Sequence, residues 1–256
     1  MVMKRILFIF ILAISLNAQS QTLSEIAREV DKMCPVKQEF MEIKACSFSQ
    51  NTFIFDMNID ADKQFNIQYF KDKPTECKEW FKIWLMFGHK NTPYLCNRVI
   101  QKNVNIKFNI NDLSHNVSHI VVLTPKEIQN AINRYAKLSD SELSLTSQVV
   151  SSNIQTPLVV DRMTTMSGVV LTPEALQFEY VIDDSQIEMT KLKEHLNTNR
   201  TDILHQYTSS YAFKSIINAL ISSNRSLILL YKGRISKSSY SITFNKRELS
   251  YKIIYY

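Results

Sequence analysis

The chain has 256 residues, of which 45% are hydrophobic, and its formal net charge is +6. This length suits one large domain or two of ordinary size, and Lys and Arg occur mostly singly, which argues against a nucleic-acid-binding protein. The only glycines, Gly88, Gly168 and Gly233, are far apart, which argues against glycine-rich phosphate-binding loops and the G-x-S-x-G turn of serine hydrolases.

The first twenty residues have the three parts of a secretory signal peptide. Lys4 and Arg5 form a positive start, Ile6 to Leu16 form an apolar stretch, and Ala18-Gln19-Ser20 offers small residues at a cleavage site. The apolar stretch is too short to span a membrane, and no nearby cysteine offers a site for a lipid anchor. We therefore predict that residues 1–20 are cleaved and that a periplasmic or secreted protein without a transmembrane anchor remains.

Residues 21–128 are predicted to form a first α+β unit. Apolar residues between Leu23 and Val30 have helical spacing. Phe40 to Phe48 and Thr52 to Asp60 predict a β-hairpin, since the second run alternates apolar and polar residues like a strand with one buried face. Helical spacing returns between Phe81 and Ile100, with Pro93 at the start of a second helix. Two further strands are predicted: Val104 to Ile110, and Val117 to Leu123.

Residues 129–145 are predicted to be a linker or a joining helix, and residues 146–256 a second unit. Ala175 to Asp183 repeats the alternation of Thr52 to Asp60, 123 residues later. The remaining segments follow in the same order: an extended run from Leu158 to Leu171, helices around Leu192 to Tyr207 and Phe213 to Ile221, and strands at Leu227 to Gly233 and Tyr240 to Phe244. We therefore predict an α+β fold made by tandem duplication of a ββααββ unit, each with a four-stranded antiparallel sheet covered by a helix pair.

Four cysteines are candidates for disulfide bonds in an oxidising compartment: Cys34, Cys46, Cys77 and Cys96. Four cysteines allow three pairings, and the sequence does not choose among them. We favour Cys34–Cys46 and Cys77–Cys96, because the second pair would join two consecutive helices. The spacing contains no CxxC, so neither a zinc knuckle nor a thioredoxin-like site is indicated.

Two polar clusters are weighed as metal sites, and neither is assigned. His115 and His119 are four residues apart, but on a strand their side chains would stand about 13 Å apart, so ordinary surface histidines are the better interpretation. Asp60 and Asp62 end one strand, and the pair Asp183 and Asp184 ends its equivalent in the second unit. A shared calcium site is conceivable there, but we expect these aspartates to cap the helices that follow.

Other chemically distinctive residues are interpreted as structural. His195 and His205 lie on the predicted helix and are expected to pack or to hydrogen-bond. Trp80 and Trp84 are four apart on a helix, which favours core packing over a sugar- or peptide-binding surface. No catalytic, cofactor-binding or metal-binding residue is therefore predicted.

One sequence motif of the second unit resembles a group of bacterial proteins. Pro157 to Thr164 reads P-x-x-V-D-x-x-T and is followed by an F-x-Y strand at Phe178 and Tyr180. This pattern resembles uncharacterised small secreted or periplasmic bacterial proteins, over roughly the second half of the chain. The first unit opens with Cys34-Pro35 but departs from the pattern, with Lys37-Gln38-Glu39 where V-D would fall. The resemblance implies an envelope location and supplies no activity.

The predicted function is a non-catalytic, extracytoplasmic binding protein with a protein partner in the cell envelope. Its basis is a duplicated fold without a catalytic constellation. The alternative is an extracytoplasmic hydrolase with a site between the two units, where domain interfaces often place pockets. Exposed sheet edges also allow a homo-oligomer.

Overall fold

The computed structural model describes residues 22–38, 41–59, 67–86, 94–112 and 116–251. The predicted signal peptide, residues 1–20, lies outside them. The chain divides into two compact units between Asp140 and Ser141, inside the segment 129–145 that the sequence assigns to a linker or helix. Within the described residues, every helix is too short or too polar to cross a membrane.

The first unit contains a five-stranded sheet and five helices among its described residues. Its elements are α1 (Leu23–Asp31), β1 (Val36–Gln38), β2 (Met41–Ser49), β3 (Thr52–Ile59), α2 (Ile67–Asp72), α3 (Pro74–Met86), α4 (Tyr94–Gln101), β4 (Asn105–Asp112), β5 (Val117–Leu123) and α5 (Pro125–Tyr135). The strands are ordered β1-β2-β3-β4-β5.

The second unit repeats this order element by element. Its elements are α6 (Asp140–Gln155), β6 (Leu158–Val159), β7 (Thr164–Leu171), β8 (Ala175–Ile182), α7 (Met189–Thr198), α8 (Arg200–Ser209), α9 (Tyr211–Ser222), β9 (Ser226–Gly233), β10 (Ser239–Phe244) and α10 (Lys246–Tyr251). Its sheet is ordered β6-β7-β8-β9-β10. The predicted α+β fold of two similar units in tandem is confirmed.

The predicted four-stranded antiparallel sheet needs correction in two respects. A short edge strand, β1 or β6, makes each sheet five-stranded. The central strands, β3 with β4 and β8 with β9, pair in parallel, and the other neighbours are antiparallel. The helices between the two central strands return the chain to the end of the sheet at which the first of these strands began. The second central strand therefore runs in the same direction as the first.

The expected helix pair is a set of three helices in each unit. In the second unit, the run predicted from Leu192 to Tyr207 is interrupted at Asn199, which has φ −97° and ψ 14° and separates α7 from α8. The apolar spacing of seven between Leu196 and Ile203 fits one continuous helix as well as two, so the break leaves no trace in the pattern.

Local backbone irregularities recur at equivalent positions of the two units, 121 to 123 residues apart. A register shift falls between Ile43 and Ala45 in β2 and between Met166 and Gly168 in β7. The peptide bonds Cys34–Pro35 and Thr156–Pro157 are both cis. Such coincidences of local geometry go well beyond a shared order of helices and strands.

The helices that precede β4 and β9 end in the same way. Asn103 and Asn224 have φ of 51° and 56°, a conformation that asparagine tolerates better than most residues. The backbone N–H of the residue after each asparagine donates to a carbonyl of the last helical turn. Val104 donates to Val99 at 2.8 Å, and Arg225 donates to Leu220 at 2.9 Å. This pattern is a Schellman motif, which satisfies helix carbonyl groups that have no partner within the helix.

The last helix of each unit also starts in the same way. The Thr124 hydroxyl accepts from the Glu127 N–H at 3.3 Å, and the Asn245 side chain accepts from the Glu248 N–H at 3.1 Å. Each glutamate accepts in return from the N–H of its partner residue, which completes a capping box. Each also pairs with a cation, Lys78 at 3.0 Å or Arg200 at 2.6 Å.

The helix-covered side of each sheet forms a hydrophobic core, and the two cores differ in their side chains. In the first unit the Phe108 ring is stacked between Phe81 and Phe55, with centroid distances of 4.3 and 5.3 Å. In the second unit the equivalent of Phe108 is Leu229, and aliphatic residues dominate, alongside a hydrogen-bonded pair of tyrosines, Tyr180 and Tyr207. The same backbone therefore accommodates two differently packed interiors.

Candidate functional site

The edge strand β6 and the turn after it expose a cluster of apolar side chains. The exposed fractions are 39% for Leu158, 72% for Val159, 55% for Val160 and 38% for Met163. Single exposed apolar residues are normal on a protein surface, whereas a run of them at one edge marks a potential interaction surface.

The turn between β6 and β7 is held by hydrogen bonds from its backbone N–H groups. The Asp161 carboxylate accepts from the N–H groups of Met163 and Thr164, both at 2.8 Å. The Val160 N–H donates to the Thr164 carbonyl at 2.9 Å. The apolar residues therefore lie on an ordered turn.

A second loop, between β9 and β10, exposes Ile235 at 65%. The Asp184 carboxylate accepts from the N–H groups of Ile235 and Ser236, at 2.7 and 2.8 Å. The Ser236 hydroxyl, followed by these N–H groups, holds the pKa of Asp184 far below its ordinary value. Asp184 can approach because residue 233 is glycine: a Cβ there would lie 2.4 Å from an Asp184 carboxylate oxygen.

Both loops flank the end of β8. The Met163 carbonyl accepts from the Asp183 N–H at 2.8 Å, and the Ile182 carbonyl accepts from the Arg234 N–H at 2.9 Å. We call the exposed apolar residues on these two loops the apolar rim: Leu158, Val159, Val160, Met163 and Ile235. Three exposed cationic residues lie on the same loops: Arg162, Arg234 and Lys237.

The equivalent edge of the first unit is protected by charge. Lys37 on β1 stands where β6 has Val159, is exposed, and lies 3.7 Å from Glu42. A lysine on an edge strand opposes the addition of another strand, because the incoming chain would have to desolvate its charge. Of these two equivalent edge strands, β6 is therefore the apolar one among the described residues.

The structure brings together two of the four candidate cysteines. All four are free thiols. Cys34, just beyond α1, and Cys46 on β2 are both bound to Asp31: its carbonyl accepts from the Cys34 N–H at 3.0 Å, and its carboxylate accepts from the Cys46 N–H at 2.9 Å. Cys77 lies on α3 and Cys96 on α4, both fully buried, and burial raises the pKa of each of these two thiols to about 12. The predicted disulfides stay predictions, with the geometry favouring the first pair.

The three histidines that the structure describes lie on three different elements. His119 on β5 stacks against Phe70, with ring centroids 6.4 Å apart, and partial burial followed by the nearby charge of Lys71 lowers its pKa. His115 lies outside the described residues. His195 and His205 lie on α7 and α8. Among the described residues, no group of three His, Cys, Asp or Glu side chains can hold a metal ion.

The expected capping role of the strand-end aspartates is wrong for the second unit. Helix α7 begins at Met189 after Glu188, and no side chain caps it. Asp183 instead binds the Ser185 hydroxyl at 2.7 Å, and Asp184 binds the β9–β10 loop. The intervening turn is longer than the alternation pattern suggests. Asp60 and Asp62 lie outside the described residues.

Trp80 and Trp84 are core residues, each 5% exposed. The sequence interpretation missed the apolar rim, because it assigned Leu158 to Leu171 to one extended run. The available signal was three consecutive apolar residues, Leu158 to Val160, directly before the charged pair Asp161-Arg162. A buried face requires alternation, and this run breaks it.

No protein-family model and no curated protein matches the chain. Two solved structures are similar to parts of it. One, a candidate secreted protein of Pseudomonas aeruginosa, is 11% identical with a TM-score of 0.36, covering 43% of this chain and 93% of that protein. The other, the pilotin EpsS of the Vibrio vulnificus type 2 secretion system, is 13% identical with a TM-score of 0.30, covering 42% and 88%.

Proposed function

We propose that this chain is an extracytoplasmic, non-catalytic binding protein whose second unit takes up an extended segment of a partner protein along β6. The observation that carries the proposal is the apolar rim, with Val159 72% exposed on the terminal strand of the sheet. An extended chain that pairs with an open sheet edge gains backbone hydrogen bonds, and its alternate side chains fill adjacent pockets.

The hydrogen bonds of β6 favour an extended occupant. Val160 donates inward to Thr164, and along an antiparallel strand the inward and outward orientations of the backbone groups alternate. The N–H and C=O of Val159 are therefore turned away from β7, toward an incoming strand. Leu158 faces the same side of the sheet as its pairing partner Met166, and Val159 faces the opposite side.

The charges around the apolar rim favour a partner segment with acidic residues beside its apolar ones. The carboxylates of Asp161 and Asp184 are occupied by backbone N–H donors of their own turns. The cationic side chains of Arg162, Arg234 and Lys237 are exposed on the same loops. An acidic segment would gain from these cations an attraction that salt weakens.

A photo-crosslinking residue placed at position 159 of the full chain tests the proposal in the extracytoplasmic fraction of the source organism. We expect one defined protein adduct. Ile120 is a matched control, since it is an exposed apolar residue on the edge strand β5 of the first unit, at 55% exposure. The same crosslinker there should not give that adduct.

A charge substitution measures the contribution of the edge. Val160→Lys should weaken binding of the crosslinked partner by at least about tenfold, as expected for the centre of an interface, while Ile120→Lys should leave it unchanged. Adducts containing two copies of this chain would show that β6 mediates self-association and would contradict the proposed partner. Identical adducts from positions 159 and 120 would exclude a specific role for the apolar rim.

A further inference from the structure

Two thiols of the first unit meet where α1 ends against the irregular part of β2. The Cys34 thiol donates to the Val30 carbonyl with a distance of 3.5 Å, and the Cys46 thiol lies close enough to that of Cys34 for each to affect the pKa of the other. Asp31 fixes both residues. Its carbonyl accepts from the Cys34 N–H at 3.0 Å, and its carboxylate accepts from the Cys46 N–H at 2.9 Å.

The second unit has the same junction with different chemistry. Asn153 stands where Asp31 stands, and Val169 where Cys46 stands. The Asn153 side chain accepts from the Val169 N–H at 2.7 Å and donates to the Val169 carbonyl at 2.8 Å. A carboxylate only accepts, so Asp31 provides one of these two bonds. The helix–strand junction of the first unit therefore lacks the second bond of its counterpart.

We infer that Cys34 and Cys46 form a disulfide that fastens α1 to β2 in place of the missing hydrogen bond. The oxidant is a small-molecule or protein disulfide. The Cys34 thiolate attacks one sulfur of that disulfide and releases the other as a thiolate, giving a mixed disulfide. The Cys46 sulfur then displaces the oxidant from Cys34. Two protons leave the protein, and two electrons reduce the oxidant to two thiols.

The difference in exposure assigns the order of these steps. Cys34 is partly exposed, whereas Cys46 is 5% exposed, so an external disulfide meets Cys34 first. Burial, followed by the charge of Asp31, raises the pKa of Cys34. Burial, followed by the neighbouring Cys34 sulfur, raises the pKa of Cys46. Both thiols therefore stay protonated near neutral pH, and the pair needs an oxidant in excess to react at a useful rate.

Cys77 and Cys96 are internal controls for this inference. Both are 0% exposed, on separate helices, and a dissolved disulfide cannot reach them in the folded protein. They should remain thiols under conditions in which the first pair reacts.

The test is to incubate the folded full chain with excess oxidised glutathione, denature it with an alkylating reagent, and digest it with trypsin. Cleavage after Lys32, Lys37 and Lys44 separates the two cysteines onto different peptides, so a linked pair is identified by its mass. We expect Cys34 and Cys46 in one linked pair, with Cys77 and Cys96 alkylated. Four alkylated cysteines, glutathione retained on Cys34, or any other pairing would overturn the inference.

The stabilising effect is measured separately. A cross-link closing a loop of this size should change the unfolding equilibrium constant of the first unit on the order of a hundredfold. Urea unfolding of the oxidised and reduced protein, followed by tryptophan fluorescence, reports this change because Trp80 and Trp84 both lie in the first unit. The reduced protein should match Cys34→Ser, which prevents the link. Equal midpoints for oxidised and reduced protein would show that the bond does not stabilise the junction.

Discussion

The two units use the same backbone with different side chains at the edge and in the core. What they share are positions where the backbone itself is constrained: the register shift in the second strand, the positive φ of Asn103 and Asn224, and the capping box of the last helix. What differs are the edge, Lys37 against Val159, and the interior, Phe108 against Leu229. Backbone constraints thus outlast divergence, while surface and core chemistry are free to specialise.

The largest expected effect comes from the core. Phe108 is 0% exposed and stacked between two rings, so Phe108→Ala should lower the free energy of unfolding by about 3–5 kcal/mol. Leu229→Ala at the equivalent position should cost about 2–5 kcal/mol. Urea unfolding followed by tryptophan fluorescence reports the first unit, and circular dichroism reports both. We expect Leu229→Ala to shift the circular dichroism signal more than the fluorescence signal, because both tryptophans lie in the first unit. An equally large shift in fluorescence would show that the two units unfold together.

A smaller expected difference between the units is the pH dependence of their stability. The Glu79 carboxylate accepts from Lys82 at 3.0 Å, from Arg134 at 2.9 Å and from the Tyr135 hydroxyl, whereas the second unit has Thr201 at this position. Burial opposes ionisation of Glu79, but these donors outweigh it and lower its pKa below 4.5. The stability it contributes is therefore present above pH 4.5 and is lost as the pH falls through the lowered value.

The corresponding variant is Glu79→Gln, which should cost about 2 kcal/mol at neutral pH. It should also flatten the acid dependence of the fluorescence-detected midpoint, since the glutamine does not titrate. Lys82→Met retains the carboxylate and should keep most of that dependence. An unchanged acid profile in Glu79→Gln would assign the acid sensitivity to other carboxylates.

The smallest effect tests the equivalence of the caps. Thr124→Ala and Asn245→Ala each remove the side chain that accepts from the N–H of the glutamate three residues later, and each should cost about 1 kcal/mol. Thermal unfolding of the two variants measures both. If only one variant lowers the melting temperature, the two capping boxes do not have the same structural role.

The strands were largely predictable from the sequence. Val117 to Leu123 matches β5 residue for residue, and Phe53, Phe55 and Met57 face the core as their spacing indicates. The direction of the central strands was not predictable, because a period of two is the same in parallel and antiparallel pairs. The short helix α2 and the break at Asn199 involve too few residues to leave a helical period.

The candidate site was less predictable than the fold. The four cysteines were identified and the pair Cys34 and Cys46 was favoured, but the bonding of both residues to Asp31 depends on the bend after α1 and is seen only in the structure. Val159 was assigned to a strand, correctly, yet its exposure depends on the position of β6 at the end of the sheet formed by the described residues. A single sequence describes what each residue prefers and gives little information on where a sheet ends.

The close approach of Gly233 to Asp184 links two positions in evolution. A Cβ at 233 would lie 2.4 Å from both an Asp184 carboxylate oxygen and the Ser236 hydroxyl oxygen, so substitution of the glycine requires both side chains to shift or to change. In the first unit, the position equivalent to Gly233 holds the buried Asp112. Sequences related to the second unit should therefore keep the glycine wherever they keep the aspartate and the serine.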